Sequence, residues 1–68
     1  MAISDAKSKV LNTFRMFDPA DLSVSEAAQR SKVSPNTAST YIKVLVAEGV
    51  LEQSRTIGNA KLFRLKRE

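Results

Sequence analysis

Between residues 34 and 43 the chain sets out Ser34, Asn36, Thr37, Ser39, Thr40 and Lys43, side chains whose chemistry is recognition rather than bond-making. On a helical wheel of about 100° per residue, Asn36, Thr40, Lys43 and Ala47 form one stripe, with Thr37 and Ser39 on its flanks. No acid interrupts it. Short hydroxyl and amide side chains can approach the hydrogen-bonding edges of bases, and asparagine can pair bidentately with adenine. Lys43 lies one turn further along and suits a phosphate. Ser34 caps the segment first of all, and stands where free N–H groups also favour an anion.

Bond-breaking chemistry has little to work with. The chain holds neither histidine nor cysteine, so thiol nucleophiles, disulfides and zinc fingers are excluded. There is no glycine-rich phosphate loop and no carboxylate pair that a fold of this size would bring into a pocket. Asp18 and Asp21 flank Pro19-Ala20 and read as turn residues of an exposed loop. We therefore expect no enzyme activity, no cofactor, no metal and no small-molecule ligand.

With 68 residues, the chain reads as one domain over 1–68, near the lower limit for an unstapled core. It is 43% apolar with only two glycines and two prolines, too hydrophobic and too regular for disorder. No targeting segment or membrane-length apolar run is visible, which predicts a cytoplasmic, nucleoid-associated protein with no membrane partner. The net charge of +4 is unevenly placed. Residues 1–53 balance six basic side chains against six acidic ones, whereas residues 54–68 carry Arg55, Lys61, Arg64, Lys66 and Arg67 against Glu68 alone. Such asymmetry fits either a polyanion partner or a solvated basic tail.

The elements that must position these groups follow from periodicity and caps. Val10, Leu11, Phe14 and Phe17 recur at helical spacing and predict a helix over 5–17, with Ser4 as N-cap and Asp18-Pro19 as its end. Leu22 predicts a short extended contact. Ser23-Val24-Ser25-Glu26 has the form of a capping box and starts a helix over 24–30, whose alanines let another helix approach closely. Ser34-Pro35 starts a third helix over 35–48, stopped by Gly49. Its core face is Ala38, Ile42 and Leu45, with Tyr41 at the edge and Val44 and Val46 on the shoulders. Two β-rich runs around Gly58-Asn59 predict a hairpin over 50–65. The fold class is α+β, mostly helical.

The order helix, short strand, helix, tight turn, helix, hairpin resembles the winged helix-turn-helix family. The stretches that carry the resemblance are Leu22 to Ala28, Val33 to Ser39, Leu45 to Leu51, and Ala60 to Leu65, the last similar to the wings of small archaeal regulators. The resemblance implies a transcription regulator that binds sequence-specific double-stranded DNA. The third helix would enter the major groove and the 55–61 wing would follow the backbone or the minor groove. Arg55, Asn59 and Lys61, around the wing tip, would then supply backbone or minor-groove contacts.

A winged-helix module that docks on another protein in a replication, transcription or partition assembly is the competing reading, because folds do not fix functions. An acidic or apolar exposed stripe would favour it, and the stripe here is polar and acid-free. The Z-DNA-binding branch, with its Asn-Tyr pair and its Pro- and Trp-bearing wing, fits less well, since Ser39 and Lys43 occupy those helix positions. A single module contacts little DNA, so we expect a homodimer, with the first helix as the candidate surface, where Met16 and the upstream Ile3 are left over from the core.

Overall fold

The computed structural model describes residues 5–66. Ser4, expected as a cap, Ile3, considered for a dimer surface, and the tail residue Arg67 lie outside it. In chain order the elements are α1 (Asp5–Phe17), β1 (Leu22–Ser23), α2 (Val24–Ser31), α3 (Pro35–Ala47), β2 (Leu51–Ile57) and β3 (Ala60–Leu65). Three helices and a three-stranded antiparallel sheet make the α+β winged-helix architecture. No helix among the described residues is long and apolar enough to cross a membrane.

Local chemistry sets each boundary. Ser23 Oγ accepts from the Glu26 N–H at 3.1 Å while Glu26 Oε1 accepts from the Ser23 N–H at 3.2 Å, a complete capping box for α2. The helix runs one residue past its expected end at Arg30, because Ser31 turns its hydroxyl inward onto the carbonyl of Ala27. Lys32 then adopts φ 61°, and its N–H and that of Val33 return to the carbonyls of Gln29 and Ala28. This left-handed turn is normally the place of glycine; a residue with a Cβ there costs about 1 kcal/mol. The reversal delivers Ser34 directly to the start of α3.

At α3, Ser34 Oγ accepts from the Thr37 N–H at 3.2 Å and Pro35 takes the first helical position, where its missing N–H is not needed. The helix ends at Ala47, one residue short of the expected Glu48, which serves as its C-cap. Gly49 follows with φ 81°, and the Val50 N–H donates to the Leu45 carbonyl at 2.9 Å.

The helices close over one core. Val10 and Phe14 of α1, Ala27 and Ala28 of α2, and Ala38, Ile42 and Leu45 of α3 are buried together with Leu22 and Leu51. The three alanines are what let α2 approach its neighbours closely. Tyr41 sits half-buried at the edge, and Val44 and Val46 lie outside the core, Val46 exposed.

The sheet order is β1-β3-β2, so Leu22 pairs with Phe63 and Ser23 with Leu62 on one side of β3, and Leu51 pairs with Leu65 on the other. The hairpin strand begins at Leu51 rather than Val50. Between Gln53↔Phe63 and Arg55↔Leu62 the register shifts by one, leaving Ser54 as the extra residue of a β-bulge. Residues directly opposite share a face of the sheet. Leu51 and Phe63 face the helices, whereas Arg55 shares the outer face with Leu62 and Ser23. Leu62 is buried but does not belong to the cluster that the helices close over.

Candidate nucleic-acid interface

Helix α3 presents its predicted stripe as an exposed ridge. Asn36, Thr40 and Lys43 are exposed, Thr37 and Ser39 half-buried, and Ser34 exposed at the cap. The first turn is internally braced: Ser34 Oγ donates to Thr37 Oγ1 at 2.9 Å while accepting from the Thr37 N–H. Thr40 Oγ1 donates to the Asn36 carbonyl at 3.0 Å, so the lone pairs of that hydroxyl remain for a ligand. The side chains of Asn36 and Ser39 have no hydrogen-bond partner among the described residues.

An open cleft of about 670 Å³ runs between α3, the start of α2 and the wing. Its polar rim is Ser23, Ser25, Ser39, Lys43, Asn59 and Lys61. Val24, Ile42 and Phe63 lie beneath them, and Ile57 near the wing tip is 56% exposed beside it. Among the described residues, no acid lines the cleft. Of the residues proposed from sequence, the fold gathers Ser39, Lys43, Asn59 and Lys61 around this opening. It leaves Asn36, Thr37 and Thr40 on the α3 ridge and Arg55 on the outer face of the wing.

The distribution of ion pairs sharpens this picture. Lys7 is bound to Glu48 at 2.8 Å and Arg64 to Glu52 at 2.9 Å, so both cations are locally balanced. Arg30 stacks over the Phe17 ring at 4.7 Å. Lys43 and Lys61, by contrast, have no acid partner among the described residues, and both line the cleft. A concave, acid-free surface with two uncompensated lysines attracts anions over a range set by the Debye length, about 8 Å at physiological salt.

Sequence reasoning missed two features. Ser23, Ser25 and Gln53 also border the cleft; Ser23 read only as a helix cap, and neither Ser25 nor Gln53 gave a local signal. Asp21, expected as a turn residue in an exposed loop, has a side chain only 17% exposed. Its Oδ2 accepts from Ser54 Oγ at 2.9 Å and from Arg55 Nε at 3.0 Å. The Ser54 hydroxyl and the Arg55 guanidinium hold the Asp21 carboxyl below its ordinary value, against the opposing effect of partial burial.

No curated protein and no solved structure matches the chain. Residues 18–52, just over half of it, match the family described as winged helix-turn-helix DNA-binding. The matched segment runs from the end of α1 through both helices of the helix-turn-helix to the start of β2.

Proposed function

The chain belongs to the winged helix-turn-helix DNA-binding family, and we propose that it is a transcription regulator that reads a specific double-stranded DNA sequence. In this reading α3 enters the major groove, with Asn36, Thr37, Ser39 and Thr40 toward base edges and Ser34 and Lys43 toward phosphates. The wing, through Arg55, Asn59 and Lys61, follows the backbone or the minor groove. The observation that carries this reading is the acid-free cleft, where the uncompensated Lys43 and Lys61 stand beside a ridge of short hydrogen-bonding side chains.

One copy of so small a module contacts too little duplex to bind tightly at physiological salt. The proposal therefore includes a homodimer on a palindromic site, with half-sites about one helical turn apart. Met16, 79% exposed on α1, supports that helix as the shared surface.

The test is binding to random-sequence duplex across a salt series, followed by selection and sequencing of the tightest binders. Steep salt dependence with an enriched palindrome is the expected result. Salt dependence without any motif would remove the sequence-reading claim, and no binding at low salt would overturn the reading as a whole.

A further inference from the structure

Consecutive residues of a regular strand point to opposite faces of the sheet, so they cannot both grip one atom. Ser54 and Arg55 do. Both donate to the same oxygen of Asp21, a residue more than thirty positions earlier that immediately precedes β1. The bulge makes this possible, because the extra residue brings two neighbouring side chains to the same side of the strand.

Without the bulge, Arg55 would follow Leu51 and Gln53 onto the face that packs against the helices. With it, Arg55 turns to the outer face, where its side chain is 62% exposed. Its Nε–H is committed to Asp21, and no other partner engages its terminal N–H groups among the described residues. The grip also ties the middle of β2 to the chain just before β1, on the far side of β3, so the base of the wing is fixed to the body of the domain.

We propose that Asp21 is a positioning residue of the DNA interface, which through Ser54 and Arg55 fixes the wing and presents the free guanidinium N–H groups of Arg55 to a backbone phosphate. This rests on the DNA-binding reading above. It has an unusual sign. Asp21 is an acid close to an interface for a polyanion, so by charge alone its removal would tighten binding. As a positioning residue its removal weakens binding, because an unanchored arginine must be ordered when the complex forms.

The experiment is a double-mutant cycle on the full chain, with duplex affinity measured at fixed low salt for wild type, Asp21→Ala, Arg55→Ala and the double variant. The expected result is a loss of about three- to tenfold for Asp21→Ala that disappears in the Arg55→Ala background, within the coupling range of groups sharing one hydrogen-bond network. Ser54→Ala, which keeps the ion pair, should show a smaller loss of the same kind, and it serves as the test if Asp21→Ala fails to fold. Binding by Asp21→Ala, or by Ser54→Ala in that case, equal to or tighter than wild type overturns the proposal, as does a loss that persists undiminished in the Arg55→Ala background. If wild type itself does not bind duplex at low salt, the DNA-binding reading fails first and this proposal falls with it; binding by wild type without the coupling removes the role of Asp21 alone.

Discussion

The contrast between balanced and unbalanced lysines gives a quantitative expectation for salt dependence. A lysine that neutralises a phosphate releases its condensed counterion, and log K then falls with log salt with a slope of about −0.9 per contact. Lys43 and Lys61 carry no partner that must first be displaced. Each should therefore contribute about 0.9 to the slope, which between 50 and 200 mM salt amounts to about 3.5-fold in affinity per lysine and about twelvefold for both. Lys7, already bound to Glu48, provides the control. Fluorescence anisotropy of a labelled duplex titrated at several salt concentrations measures each slope directly. The expected order is wild type steepest, Lys43→Ala and Lys61→Ala shallower by about one unit each, the double variant shallower by about two, and Lys7→Ala unchanged. Single lysine variants with the wild-type slope, or a Lys7→Ala variant flattened as much as they are, would refute the assignment of the cleft as the phosphate-binding surface.

Asn36→Ala and Thr40→Ala should each cost about 1–3 kcal/mol on the selected site and much less on random duplex, as competition binding would show. Since Thr40 already donates its proton to the Asn36 carbonyl, the base group it meets should be a donor. The left-handed positions that follow α2 and α3, Lys32 and Gly49, should respond with opposite signs in thermal melts. Gly49→Ala should lose about 1 kcal/mol, because the cost is purely backbone with nothing within 4 Å of a new Cβ. Lys32→Gly should gain up to about 1 kcal/mol, and either change corresponds to roughly 4–8 °C for a domain this size. The Asp21 carboxyl titrates lower in the folded chain than in the unfolded one, so its contribution to stability is present above its ordinary carboxylate value and is lost as pH falls through the lower, folded value. Melts of wild type and Asp21→Asn should therefore diverge at neutral pH and converge in acid; a constant gap down to pH 2 would contradict the linkage.

The helices were legible because their signals are local. The capping box at Ser23 and Glu26, Ser34-Pro35 and Gly49 act within one turn of where they stand, and the apolar spacing of α1 and α3 marks their buried faces directly. The stripe of α3 was readable on the same ground. What sequence did not reveal depends on partners distant along the chain. Leu22 announces an extended residue but not that β3, rather than β2, takes it as a neighbour. Lys32 hides its left-handed turn, because a lysine gives none of the warning that glycine would. The bulge at Ser54 leaves only a break in alternation between Gln53 and Arg55, and the reason for that break, Asp21, lies outside any local window. The division of the cations into balanced and unbalanced was equally invisible, since Lys7 finds Glu48 only when α1 meets the end of α3.

The extra residue in β2 also gives the strand a parity. On the Leu51 side of Ser54 the odd-numbered side chains face the core, whereas beyond it the odd and even positions have exchanged sides. The outer half of the hairpin can therefore change its chemistry, or grow by whole pleats of two residues per strand, without altering which residues seal the core. A one-residue insertion or deletion between Gln53 and Arg55 reverses the exchange and trades Arg55 for its neighbour on the outer face. Length changes in wings of this construction should thus be tolerated in even steps, and an odd step should act as a change of surface rather than a change of size.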